Sequence, residues 1–319
     1  MIKLLLALLQ IKGIGNSFIK KHIHSLYADI DKTESSFIAI DPRITKDAIN
    51  ANKEYAESII RRCDALGINI LPIYDSRYPK NLLELPDPPA VLYTLGNLEL
   101  LNKPQVAIIG TRNSTKLGDS IAAKIGKYFS SNYCICNGLV AGIDCAAVST
   151  TNGILPNVVG VISSGLNYNF TASQTTKNLV NQVLQNKGLV LSEYEPDQKE
   201  DQYSGSRSSR IQAGLSSALI LVQSATTGGS KYTVKAFLRL NRVLGVIDFP
   251  SNEEYSSDES FSANRLICKD GMIGVAKFCE YKITQKIKIS HLIIIQNQKE
   301  YRSIECAINK LRGKNILLF

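Results

Sequence analysis

The sequence predicts an α/β protein built on a doubly wound, mostly parallel sheet, with a small N-terminal helical domain and a short basic C-terminal extension. Two observations carry this. Apolar runs at residues 106–109, 133–136, 158–162, 189–191, 218–222 and 243–247 recur at intervals that fit crossover helices. Strands buried on both faces read as continuous apolar runs of this kind. The first two runs also break into glycine turns, Gly110-Thr111-Arg112 and Asn137-Gly138-Leu139-Val140-Ala141-Gly142-Ile143-Asp144, with a helix-like segment at 120–129 between them. Two such turns on neighbouring parallel strands place free backbone N–H groups at one sheet edge. With helix N-termini behind them, those groups form a site for anions.

In chain order, residues 1–70 read as the helical domain. Its first apolar run, Leu4-Leu5-Leu6-Ala7-Leu8-Leu9, is short and is followed by Lys12 and a Gly-x-Gly turn rather than a small-residue cleavage site, so it reads as a mature helix. Residues 4–27 read as helix, Lys12-Gly13-Ile14-Gly15-Asn16 turn, helix. Two readings fit. One is a helix-hairpin-helix whose turn amides bind a DNA phosphate with help from Lys20 and Lys21. The other is a small bundle in which Gly-x-Gly makes a tight corner. A helical stretch begins after Asp41-Pro42, and an amphipathic face of Tyr55, Ile59, Cys63 and Leu66 runs up to Gly67, a helix stop. Residues 71–104 are broken by prolines into an extended connector that can lie against the next domain without joining its sheet. Residues 105–279 hold the sheet. In 280–319, Lys282, Lys286, Lys288, Lys299, Arg302, Lys310, Arg312 and Lys314 stand against Glu280, Glu300 and Glu305, a net +5 of the whole chain's +9. A strand-like run at 292–295 precedes a helix with Ile304, Ala307, Ile308 and Leu311 on one face. This tail reads either as a reduced accessory domain, such as a winged helix, or as a solvated basic face.

Composition narrows the partners. The chain has 319 residues, 44% of them hydrophobic, and its charge of +9 tilts towards a polyanion. Seven scattered cysteines without a C-x-x-C pair read as reduced residues of a cytoplasmic protein. Three histidines are too few for a His-rich metal site. No run approaches the ~20 apolar residues of a membrane span.

Ligands of such a sheet bind outside the carboxyl ends of the strands. The candidates are therefore Gly110-Thr111-Arg112, Asn137-Gly138, Ser163-Ser164-Gly165, Ser192-Glu193 and Gln223 through Ser230. Neither G-x-G-x-x-G nor G-x-x-x-x-G-K-[ST] is present, so no nucleotide-cofactor fingerprint is found. What remains is small residues, amides and three cations: Arg112, Arg210 and Lys231. Thr226-Thr227-Gly228-Gly229-Ser230 precedes an amphipathic helix and gives a third anion-receiving N-terminus. Several separated cradles suit a nucleic-acid backbone or a bulky nucleotide better than one small anion. Tyr168, Phe170 and Tyr203 either stack bases or pack structurally. Asp144 and Glu193 are the carboxylates at strand ends. Either they do acid–base work, or Asp144 orients turn amides and Glu193 pairs with a local cation. No catalytic set and no metal cluster accompanies them.

The residues from 74 to about 276 resemble the DNA-processing protein A family, also called Smf. The resemblance rests on Tyr78-Pro79, Asp87-Pro88-Pro89, Leu92-Tyr93 and Gly96; on Ala107-Ile108-Ile109-Gly110-Thr111-Arg112 with Gly118; on the run from Asn137 to Asp144; and on Gly165-Leu166, Leu191-Ser192-Glu193, Arg210-Ile211 with Ala213-Gly214-Leu215, Gly229-Ser230, Thr233, Asn241-Arg242, Asn264 and Gly271. It implies a Rossmann-like domain binding single-stranded DNA in the strand-end pocket, protecting incoming strands and helping to load a RecA-type recombinase in natural transformation, as a homodimer. Carried over, the DNA-binding residues are Gly110, Thr111, Arg112, Asn137, Gly138, Leu139, Gly142, Asp144, Gly165, Arg207, Arg210, Gly228, Gly229, Ser230 and Lys231. Val148 stands where the family has a histidine, Ser208-Ser209 where it has Arg-Asn, Asn169-Phe170 where it has Tyr-Pro, and Gly228 where it has a serine. These changes thin the polar lining and keep its turns. The alternative is a nucleotide sensor or an enzyme like the lysine-decarboxylase-like phosphoribohydrolases. Gly228-Gly229 is similar to their loop, but the expected Gly-Thr and downstream glutamate are missing.

Overall fold

A computed structural model of the chain describes residues 1–27, 30–249, 255, 257–282 and 287–316. The strands are β1 (Asn69–Pro72), β2 (Val91–Gly96), β3 (Gln105–Ile109), β4 (Cys134–Asn137), a short hairpin β5 (Ser149–Thr150) and β6 (Gly153–Ile154), β7 (Val158–Val161), β8 (Leu189–Ser192), β9 (Ala218–Leu221), β10 (Val243–Ile247) and β11 (His291–Ile295). Outside the hairpin they form a nine-stranded sheet ordered β1-β2-β8-β7-β4-β3-β9-β10-β11. From β8 to β11 every neighbour pair is parallel. The order runs outward from β3 in both directions, so the α/β, doubly wound expectation holds, with its switch point between β3 and β9. All six apolar runs are strands, and β3, β4, β7, β8, β9 and β10 are buried along their whole lengths.

The helices are α1 (Ile2–Leu9), α2 (Asn16–Lys21), α3 (Ile30–Ile40), α4 (Lys46–Leu66), α5 (Lys116–Phe129), α6 (Ile143–Val148), α7 (Tyr168–Thr171), α8 (Gln174–Gln185), α9 (Ser204–Leu215), α10 (Ser230–Phe237), α11 (Ser262–Asp270), α12 (Met272–Phe278) and α13 (Lys299–Ile316). α5 starts four residues before the expected segment because the Thr115 hydroxyl accepts from the Gly118 N–H at 3.1 Å, a side-chain cap. α1 buries Leu4 through Leu8 against α4. The buried face of α4 is Ile49, Ala56 and Cys63, not the one expected. Of the expected set only Cys63 is buried; Tyr55 is exposed, with its hydroxyl on Glu195. Gly67, at φ 66°, ends α4 as expected.

Two expectations fail at the ends of the sheet. The 71–104 connector does join it: β2 pairs antiparallel with β8 and with β1. Its prolines all precede Val91, apart from Pro104 beyond the strand, so β2 keeps every backbone donor for the ladder. The tail is neither a winged helix nor a separate solvated face. β11 pairs parallel with β10 in register Val243↔His291 to Ile247↔Ile295, and α13 buries Ile304, Ala307 and Ile308 beneath its basic surface. Lys286 lies outside the described residues, as does the side chain of Lys314.

Candidate nucleic-acid interface

The carboxyl ends of β3, β4, β7 and β9 open into a cleft of about 650 Å³. It is lined by Gly110, Thr111 and Arg112 after β3, Gly138 and Asp144 after β4, Ser163 after β7, and Gly228, Gly229 and Ser230 after β9. All nine were expected at the strand ends or in the carried-over DNA-binding set, and they meet in one place.

The glycine turns are not the open rows of amides the sequence suggests. The Thr111 N–H donates to the Gln223 carbonyl at 2.8 Å, and the Ile143 N–H to the Thr111 carbonyl at 3.1 Å. Gly138 N–H donates to Asp144 Oδ2 at 2.8 Å and Leu139 N–H to Asn137 Oδ1 at 3.1 Å. Asn137 Nδ2 in turn donates to the Asp144 carbonyl at 2.9 Å. The loop after β4 is therefore knitted shut from inside. Leu139 (φ 52°) and Gly142 (φ 78°) take left-handed backbone to allow it. A side chain at Gly142 would run into the Thr111 and Arg112 carbonyls. Asn137, Leu139 and Gly142 accordingly shape the cleft without lining it. The amides of Arg112, Gly229 and Ser230 have no partner among the described residues, and Gly229 and Ser230 start α10.

The cations divide sharply. Arg112 is exposed at the cleft mouth and has no ion pair among the described residues. Arg210 turns away: its guanidinium clamps both oxygens of Glu193 at 2.6 and 2.7 Å, and its Nε donates to Asp87 at 2.9 Å. Arg207 pairs with Asp201 at 2.8 Å, and Lys231 with Glu280 at 2.6 Å. Arg207, Arg210 and Glu193 line a different cleft, against Gly13, Gly15 and Asn16 of the helical turn. There Asn16 Oδ1 accepts from the Ala90 N–H at 2.9 Å and its Nδ2 donates to Glu193 at 3.4 Å. The Lys20 ammonium is committed to the Leu85 carbonyl. Gly165 is also outside the main cleft; its Cβ would strike the carbonyls of Glu195 and Pro196, so it serves close packing.

Asp144 and Glu193 are therefore not a catalytic pair. Asp144 is buried, and burial pushes its carboxyl up to about 7, opposed by the Gly138 N–H, by Arg112 and by the Val140 N–H. A phosphate entering the cleft thus meets less negative charge than an ordinary aspartate would present. Among the described residues no group of three or more His, Cys, Asp and Glu is placed to hold a metal.

Residues not singled out from the sequence also line the cleft: Glu200, Asp201, Gln212 and Tyr232. They come from the loop after β8 and from α9 and α10, and no strand-end signal marks them. Tyr203 lines it and is 58% exposed, whereas Phe170 is exposed elsewhere and the Tyr168 hydroxyl donates to Asn181. Ser208 and Ser209 line it too. Ser208 Oγ is buried without a hydrogen-bond partner among the described residues, although the Tyr194 phenol is close enough for the hydroxyl to affect its titration. Val148 is fully buried in the core.

A doubly wound sheet with a cleft at the carboxyl edge beside its switch point defines a Rossmann-like fold. The comparisons make the class specific: the family model for DNA recombination-mediator protein A matches residues 69–277. The chain belongs to that family. It is 31% identical over 178 residues to a DNA processing protein DprA of Bacillus subtilis, covering 55% of this chain and 59% of that one. It is 34% identical over 173 residues to a protein Smf of Synechocystis, covering 53% and 43%. The chain thus spans about half the length of the curated relatives it matches. Its fold is similar to that of DNA processing protein A from Streptococcus pneumoniae, with a TM-score of 0.69, 20% identity and coverage of 94% and 95%. It is also similar to the Helicobacter pylori protein, which is described by its single-stranded DNA binding mode, with a TM-score of 0.57, 24% identity and coverage of 77% and 96%.

Proposed function

We propose that this chain is a single-stranded DNA-binding protein of DNA uptake and recombination, holding the strand's phosphates in the carboxyl-edge cleft. The observation that carries the reading is the position of Arg112, a guanidinium with no ion pair among the described residues, beside the open amides at the start of α10. An unpaired guanidinium and helix-start amides bind phosphate by charge-assisted bonds and carry no base preference. Family membership supports the process, and the Helicobacter pylori relative supports the ligand. Protection of incoming strands, loading of a RecA-type recombinase, homodimer formation, a cytoplasmic location and a separate helical domain up to about residue 70 belong to the same proposal. No helix among the described residues is long and apolar enough to cross a membrane. The chain acts by binding rather than by catalysis. Titrating a fluorescent single-stranded oligonucleotide at two salt concentrations tests this, because phosphate neutralisation releases counterions and makes affinity fall steeply with salt. Absence of binding at low salt refutes it.

One observation favours a second reading: Asp144, near 7, is poised for general acid–base chemistry inside the cleft. Incubation with nucleoside monophosphates and assay for free base separates the two.

A further inference from the structure

We propose that a second path for single-stranded DNA crosses the opposite edge of the same sheet, over the amino ends of β3, β4 and β9. It rests on the reading above only for the identity of the ligand. Three clefts meet there. The first, about 270 Å³, is lined by Lys80, Lys103, Gln105 and Ser217. The second, about 510 Å³, shares Pro104 and Arg312 with the first and adds Tyr133 and Arg302. The third, about 470 Å³, shares Asn132 and Glu305 with the second and adds Lys124 and Lys127. Shared walls make them one groove.

Charge along the groove is one-sided. Lys80, Lys103, Lys124, Lys127, Arg302 and Arg312 are exposed, and none has an ion pair among the described residues. Arg77 is left out because Asp75 holds it at 2.7 Å. The groove's one lining carboxylate, Glu305, already accepts from the Tyr128 hydroxyl at 2.7 Å. Cations spread over three joined clefts match a row of phosphates rather than a single small anion. An independent observation lies inside the first cleft. Gln105 is 2% exposed, and its Oε1 has no hydrogen-bond partner among the described residues. A buried acceptor left unpaired calls for a donor. An unpaired nucleobase supplies one from its amino or imino N–H, which in a duplex is engaged with the opposite base. This favours a single strand.

The basic tail thereby acquires a use: Arg302 and Arg312 lie on α13, which brings Arg312 into the cleft that Lys103 lines and both arginines into the cleft next to it. The test uses the full chain and compares Arg302→Gln/Arg312→Gln with Lys124→Gln/Lys127→Gln, with folding checked by circular dichroism. A long single-stranded oligonucleotide is titrated across a salt series. Each phosphate deprived of its cation should reduce the slope of log affinity against log salt by about 0.7, so either double variant should lower it by about 1.4. Arg302→Lys/Arg312→Lys should keep the slope. A duplex of the same length should respond less than the single strand. If both double variants keep the native slope while Arg112→Ala loses affinity, the groove is overturned and the carboxyl-edge reading stands. If the reverse holds, the groove stands and the cleft reading falls. An equal loss for duplex and single strand overturns the single-strand assignment.

Discussion

Arg112 and Asp144 face the same space and act in opposite senses on an incoming phosphate. Removing the guanidinium in Arg112→Ala should weaken oligonucleotide binding by roughly 1–3 kcal/mol, the range of a charge-assisted bond, as read by fluorescence anisotropy. Asp144 makes a different prediction. Its carboxyl is raised from 3.8 to about 7, so the folded state binds a proton that the unfolded state has released across that window. Asp144 should therefore contribute stability that is lost as pH rises from about 4 to 7, and Asp144→Asn should remove that contribution, so the native protein loses stability relative to the variant over this range. Chemical denaturation at several pH values checks this; parallel curves for the two proteins would contradict it. Arg112 was legible in the sequence because it follows a strand directly. That Glu193 pairs with a cation was one of the two sequence readings and holds, but that the cation is Arg210, and that Asp87 and Glu280 hold Arg210 and Lys231, was not legible because these partners lie far along the chain.

Among the elements, the central strands were legible and the outer ones were not. β3, β4, β7, β8, β9 and β10 are covered on both faces, so their residues are apolar without interruption. β2 hides in a proline-rich stretch, and β11 sits in a basic tail where it is only partly covered. Pairing partners, unlike burial, leave no mark on a single sequence. The same holds for the contact that ties α9 to the end of β8 and to the segment before β2. There Arg210 bridges Glu193 and Asp87, with the Arg210 and Glu193 side chains 14% and 11% exposed. Arg210→Ala should cost roughly 3 kcal/mol in urea unfolding, because it strands a largely buried carboxylate. A loss below ~0.5 kcal/mol would mean the bridge is worth no more than a surface pair.

At the scale of the whole molecule, the helical turn at Gly13–Asn16 is docked rather than displayed. Asn16 uses both ends of its amide, accepting from Ala90 and donating to Glu193. Only an amide can do both here, since a carboxylate has no proton to give. Asn16→Asp should therefore lower the melting temperature, and the loss should shrink as salt screens the new repulsion with Glu193. An unchanged melting curve would remove Asn16 from the interface energetics. The sequence kept open a DNA-binding and a corner-making use for this turn. The docked contacts and the ties of Lys20 and Arg210 favour the corner.

The internally bonded loop after β4 has a consequence in time. With Asn137, Asp144 and the Gly138 amide already joined, a strand bound as proposed would meet a wall that needs no folding. Encounter should then proceed at a rate set by diffusion and charge, single-exponential and without a concentration-independent slow phase. Stopped-flow mixing should show the effect of Arg112→Ala mainly in how long the strand stays, and a saturating slow step would mean the loop still rearranges.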